Sequence, residues 1–259
     1  MRLTAPITHP ITQFTRWISP AATIENDPDT RLRIEDAERF RTLYLRTARE
    51  NAELRARIRD LQSGVALNPQ RPVWLLGASV IGVSSNLRHT VLRIRRGTEV
   101  GIEPNTVATV NGVRLLGRVV RTERSLSEIL PITDAGAQPI LGRVILLEDG
   151  RGRRCALEPV GDGTLRGIVE DPQEQPALAD LQIEVGATVR LDDGAWPAHA
   201  QMLEIGRVER IEASPQNPLR QIIVVRPRVD LARVSEIELR LSSDRQLAAE
   251  DGHSGGGGE

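Results

Sequence analysis

"TVATVNGVRLLGRVVR", residues 106–121, decides the fold. Two β-branched and aliphatic runs, 106–110 and 113–121, flank Asn111-Gly112. Asn and Gly tolerate positive φ at both central positions of a tight turn, so this pair is a strong hairpin signal. The runs favour strands by composition, and an antiparallel hairpin is expected here.

Outward from the hairpin the period of two continues. Further candidate strands are 73–82, 90–95, 139–148, 164–170, 202–212, 221–226 and 235–241, separated by Gly, Pro, Asn and Asp. No helix long enough for a crossover between parallel strands intervenes, so the sheets should be antiparallel and close into barrels. A boundary near 158 would give a first β-barrel region at 73–158. The second would span 159–241, with the closing strands open to sharing. "GRV" occurs at Gly117, Gly142 and Gly206, each within a strand-like run. An interior Gly permits a bend where a barrel turns a corner, and chance explains the repeat equally well. The stretches 148–154 and 170–180 read as exposed connections.

Before the strands, residues 31–62 change period. There is no Pro or Gly from Arg31 to Leu61. With Tyr44 at heptad position a, the a residues are Ala37, Tyr44, Asn51 and Ile58. The d residues are Phe40, Thr47, Leu54 and Leu61. A repeat of 3.5 residues is the mark of a two-stranded supercoil. In a parallel dimer Asp36 would meet Arg41 and Glu50 would meet Arg55, each pair opposite in sign. Asn51 at an a site lowers stability but pairs with its twin, which sets register and strand number. The alternative is a single amphipathic helix lying on its own domain. A Gly/Pro/Asn-containing linker, 63–72, follows. Residues 1–30, rich in Pro and Thr, read as a poorly ordered leader, and 242–259 as a low-complexity, disordered tail.

Composition excludes several classes. Of 259 residues 39% are hydrophobic and 27% charged, an ordinary globular balance. Aromatics are only 2%, so Val, Ile, Leu and Ala must build the core. The net charge of -1 argues against a bulk electrostatic role on nucleic acid or anionic lipid. Every basic residue is Arg, a bias that codon usage explains. The single Cys155 excludes an intramolecular disulfide and a thiolate metal cage. No run of about 18 apolar residues exists to span a bilayer, and the N-terminus lacks the apolar stretch of a signal peptide. The chain as given reads as soluble.

No chemistry emerges. His9, His89, His199 and His253 have no second ligand at metal spacing. "DGHSGG" (251–256) superficially resembles a serine-protease nucleophile motif, yet it lies in a polyglycine tail that offers no rigid base or oxyanion hole. "ITD" (132–134) and "RLDDG" (190–194) are turn chemistry. "RHTVLRIRR" (88–96) and "RGRR" (151–154) are the basic runs a nucleic-acid site would want. Alternation in the first, however, puts Leu92 and Ile94 on a buried face and Arg93 on a solvated one. The expectation is therefore no catalytic residue, no cofactor, no metal and no nucleic acid.

Residues 78–134 resemble the first β region of MreC, the bacterial rod shape-determining family. The resemblance rests on Val80-Ile81-Gly82, Arg96-Gly97, Val100-Gly101, Leu116-Gly117-Arg118-Val119 and Thr133-Asp134, in that order and spacing. Residues 185–212 resemble its second barrel and 222–241 its closing strands, while Glu50-Asn51 and Leu54 match its coiled coil. The resemblance covers about 31–241. It implies a scaffold, not an enzyme: a membrane anchor, a periplasmic coiled-coil dimer, then two small barrels arranged like a chymotrypsin-type protease without its triad. The implied partners are further copies of itself, the elongation transpeptidase (a class B penicillin-binding protein) and other cell-shape proteins. "APITHPITQFTRWISP" (5–20) resembles the segment that follows such an anchor. Membrane attachment is therefore expected only through an anchor missing from this chain, by truncation or a start chosen too late, with a true anchorless form as the lesser alternative. The family's Thr-Ser-Gly and Phe-Pro turn elements are replaced here by "RLDDG" and "AWPAH", so the second barrel's loops depart from the pattern. An exposed strand edge offers a partner surface by strand addition, without indication of which edge. The alternative function is a generic periplasmic β-barrel adaptor of a transport complex; a hidden hydrolase trails both.

Overall fold

A computed structural model describes residues 28–66, 73–85, 90–170, 178, 181–214 and 220–242. The leader before Pro28, the tail after Ser242, and His9, His89 and His253 lie outside the described residues. One helix, α1 (Pro28–Ala66), precedes the strands. They are β1 (Val73–Ser85), β2 (Thr90–Ile94), β3 (Val107–Val110), β4 (Arg114–Thr122), β5 (Ser127–Pro131) and β6 (Ile140–Ile145). Then come β7 (Gly152–Pro159), β8 (Leu165–Val169), β9 (Thr188–Leu191), β10 (Glu204–Ala213), β11 (Gln221–Arg226) and β12 (Glu236–Ser242). The chain is mainly β with one N-terminal helix. It divides into two compact units between Ala56 and Arg57, so the last turns of α1 belong with the strands.

The helix extends beyond 31–62 at both ends. Proline is tolerated in a first turn, where its missing N–H has no partner to lose. Exposed pairs Arg46–Glu50 and Arg49–Glu53, each 2.9 Å and one turn apart, support it locally.

Strand pairing closes on itself, which is what distinguishes a barrel from an open sheet. The first circuit is the six-stranded ring β4-β3-β12-β1-β2-β5, returning through β5–β4. A second six-strand circuit runs β11-β8-β7-β6-β9-β10 and returns through β10–β11. A single parallel bridge, Glu204 to Arg114, joins them, and all other pairings are antiparallel. The change of circuit falls between Pro131 and Ile140, not near 158. Residue 158 lies inside β7, in mid-circuit, and β12 returns to the first ring.

Three strands depart from the sequence expectation. β5 carries little strand signal of its own, because Ser127–Pro131 is short and ends in Pro; it is positioned by β4 on one side and β2 on the other. β9 is only Thr188–Leu191. β7 begins at Gly152, inside the stretch expected to be an exposed connection, because Gly152–Pro159 pairs along all of β6. The expected hairpin forms, but its connection has three residues. Asn111 and Gly112 adopt φ of 55° and 69°, and Val113 leaves the ladder to accept the Glu204 N–H at 2.9 Å.

Two cores result, and the deciding hairpin serves both. Ala108, Leu116 and Val119 fill the first ring with Leu92, Ile94, Ile129, Ile237 and Leu239. Val107 and Leu115 face the second core, with Val144, Leu157, Val189, Leu191, Ile205 and Val225. Consecutive side chains of a strand point to opposite faces, so a strand buried on both sides reads as an unbroken apolar run. Leu115-Leu116-Gly117 is that run, three consecutive buried residues between Arg114 and Arg118. Gly117 and Gly206 are places of close approach. A Cβ there would lie 2.0 Å from the Leu130 carbonyl oxygen and 2.4 Å from that of Arg226.

Candidate interaction surfaces

The expected seam residues Ala37, Phe40, Tyr44, Asn51, Leu54 and Ile58 are all exposed on α1. Phe40 and Tyr44 are 72% and 73% exposed, Leu54 and Ile58 59% and 54%. Leaving four large apolar side chains on one helical stripe in water is costly, at about 1.5–3 kcal/mol each relative to burial. The charges of the heptad flanks meet partners within the same helix, or none among the described residues. Glu50 accepts from Arg46, Asp36 lies 4.0 Å from Arg39, and Arg41 and Arg55 are exposed. Asn51 donates to the Thr47 carbonyl at 3.2 Å. Leu43 and Leu45, also exposed, stand outside the a and d positions and escaped the heptad reading.

Leu61 is different. It is half-buried beside the Asn111-Gly112 turn and Leu75, within the strand-bearing unit. From Arg57 onward the helix meets the outer wall of the first ring through charges. Arg57 pairs with Glu236 at 2.8 Å and Glu238 at 3.5 Å, and Asp60 with Arg114 at 3.2 Å. The helix end itself is held by Arg240. Its guanidinium donates to Gly64 O at 3.1 Å, Gly112 O at 2.8 Å and His199 O at 3.0 Å. The last carbonyls of a helix have no intrahelical donor and carry the negative end of its dipole, and a buried cation satisfies both needs. Burial brings the Arg240 pKa down to about 10. Burial also raises the Glu238 pKa, against the opposing Gly112 N–H and the Arg57 charge. Alternation in "EIELRL" would send Glu238 and Arg240 to solvent. The structure leaves them 6% and 1% exposed, because the helix end covers that face.

On the second circuit, Asp192 accepts from Arg143 at 2.6 Å and Arg154 at 3.2 Å. Burial would raise its pKa, but the hydrogen bonds and charges of the two arginines hold it below the usual carboxylate range. Asp193 accepts the N–H groups of Leu141 and Ala195, and Asp134 those of Thr90 and Gly136. These acidic residues organise turns. Cys155 is buried and its thiol is pushed up to about 12, mainly by desolvation. Within the basic runs Arg93 lies 3.8 Å from Glu128 and Arg151 2.6 Å from Asp149, while Leu92 and Ile94 are fully buried. Among the described residues no group of His, Cys, Asp and Glu is arranged to hold a metal. No helix among them is long and apolar enough to cross a membrane.

The strand edges open to strand addition are short: among the described residues Val73–Ser79 of β1 pairs only with β12, Gly82–Ser85 only with β2, and Arg210–Ala213 of β10 only with β11.

Known structures share this architecture. The crystal structure of MreC from Pseudomonas aeruginosa aligns with 64% of this chain and 98% of its own, at 18% identity and a TM-score of 0.52. MreC from Listeria monocytogenes aligns with 81% of this chain and 95% of its own, at 18% identity and 0.53. The major periplasmic domain of the cell shape-determining filament MreC covers 67% of this chain and 98% of its own, at 19% identity and 0.51. At such identities the likeness speaks for the fold. Among curated protein sequences none matches this chain. The family profile of the rod shape-determining protein MreC, barrel core, matches residues 80–239, which is more than half of the chain, and the protein therefore belongs to the MreC family.

Proposed function

We propose that this chain is a non-enzymatic scaffold of the cell-wall elongation machinery, dimerising through α1 and presenting two barrels to its partners. Family membership supports a role in cell shape. The observation that carries the finer reading is the stripe of exposed apolar residues from Phe40 to Ile58, on a helix otherwise covered in charge. A second parallel copy would cover that stripe, place Asn51 against its twin, and offer Asp36 to Arg41 and Glu50 to Arg55. Leu61, engaged with its own ring, marks where the seam ends. The two closed circuits are read as two barrels carried at the end of the coil. Pairing them lets partners meet two surfaces at once and raises effective concentration without new contacts. The site of action is the outer face of the cytoplasmic membrane, reached through an anchor. The transport-adaptor alternative has no observation in its favour.

The test is sedimentation of the full chain, followed by calorimetric titration with the periplasmic part of the same organism's elongation transpeptidase. A dimer that binds with saturation supports the scaffold. A monomer at micromolar concentration, or a dimer that binds nothing, overturns the corresponding half of the reading.

A further inference from the structure

Arg118 stands apart from the other partly buried arginines. Arg57, Arg114, Arg143, Arg153 and Arg190 are likewise half-buried, and each donates to an oxygen of the protein. Arg118 has no hydrogen-bond acceptor and no ion-pair partner among the described residues. Its contact is with the face of Trp196, at 3.7 Å from guanidinium carbon to ring centroid. Burial lowers its pKa, and the charge of Asp193 opposes that only in part; both Asp193 oxygens accept backbone N–H groups. Trp196 is 5% exposed and its Nε1–H also meets no acceptor.

Both side chains line a groove of about 440 Å³ where β4 and β5 of the first ring meet the start of the second circuit. Leu130 and Ile140 contribute apolar wall, Asn105 sits at one end with φ of 69°, and the exposed Val120 forms part of the rim. The chemistry is specific. A partly desolvated guanidinium lying over an aromatic face keeps the donors in its own plane free, and that edge matches a carboxylate. An apolar wall beside it suits an aliphatic or aromatic side chain next to the acid. None of the lining side chains is a carboxylate.

We infer that this groove is a docking site for an extended segment of a partner protein, one that places an Asp or Glu carboxylate on Arg118 and an adjacent apolar side chain against Leu130 and Ile140. Its biological meaning rests on the scaffold reading, but its test does not. The full chain is used to select from a random heptapeptide display library, and the selected peptides are resynthesised for binding by fluorescence anisotropy. The expected consensus is an acidic residue flanked by apolar ones. Those peptides should bind the Arg118→Gln chain about tenfold more weakly, the loss of one charge-assisted hydrogen-bonded pair. No consensus, an acid-free consensus, or equal binding to Arg118→Gln overturns the inference. Should Arg118→Gln fail to fold, Val120→Asp adds a like charge on an exposed rim position; undiminished binding of the acidic peptides to it overturns the inference as well. Dimerisation and transpeptidase binding can fail while the peptides bind, and the reverse, so the two readings are separable.

Discussion

The two circuits have the same number of strands and similar aliphatic cores, yet they treat charge near their walls differently. The first buries Arg240 with no carboxylate beside it and uses three backbone carbonyls instead. The second brings Asp192 between Arg143 and Arg154 in a half-exposed position. An ion pair near water contributes little, because solvent screens it and side-chain entropy opposes it. A buried cation whose partners are carbonyls from a helix end, a hairpin turn and a loop is another matter, since removing it strands all three. The first arrangement is therefore an organising contact, while the second trims a surface.

Arg240→Met should show the largest effect. It removes the donors to Gly64, Gly112 and His199 while keeping the aliphatic bulk. Each stranded buried carbonyl costs about 1–3 kcal/mol, so a loss of about 3 kcal/mol in urea unfolding is expected. Hydrogen exchange should localise it: amides of 57–66 lose protection before those of the strands. A loss of under about 1 kcal/mol would make Arg240 a bystander, by the same scale.

Asp192→Asn should cost less, about 1 kcal/mol, because Arg154 stays largely in water and Arg143 keeps a neutral acceptor. A loss equal to that of Arg240→Met would erase the distinction between the circuits.

That contrast also bears on what the sequence discloses. The Asn-Gly hairpin and most strands could be read from residue type and spacing, because alternation and turn chemistry are local. Arg240 could not. In "EIELRL" it sits where a solvated residue belongs, and only the helix end, arriving from some 180 residues earlier in the chain, buries it. β7 hid for a related reason. Its Arg-rich, Gly-containing start looks like a loop until β6 is laid along it. On α1 the heptad spacing singles out Phe40, Tyr44, Leu54 and Ile58, all of which are exposed. At Leu61 the local heptad competes with docking onto the ring, and the ring prevails.

Acid should separate the circuits in opposite directions. Asp192, held below its ordinary 3.8, favours the folded state above that value, and its contribution is lost as pH falls through the folded pKa. Glu238, raised above 4.5, has the reverse sign: the folded state holds the proton more tightly, so ionisation costs stability as pH rises through the folded pKa. Thermal unfolding of Glu238→Gln should therefore flatten the dependence above pH 4.5, and Asp192→Asn the limb below pH 3.8. If both variants flatten the same limb, Asp192 and Glu238 are coupled to folding with the same sign and the contrast between the circuits fails.

The smallest effect on either circuit should come from Asn51→Leu, since α1 through Ala56 forms its own compact unit. Its readout is association. An apolar residue at that a site should raise the melting temperature of the assembly while broadening the range of oligomers, because the Asn–Asn contact that penalises other registers is gone. Sedimentation velocity of wild type and variant measures both distributions, with urea unfolding of the rings as control. If the variant sediments as the same single species with unchanged thermal stability, Asn51 lies outside the seam, and the exposed stripe from Phe40 to Ile58 must face something other than its own copy.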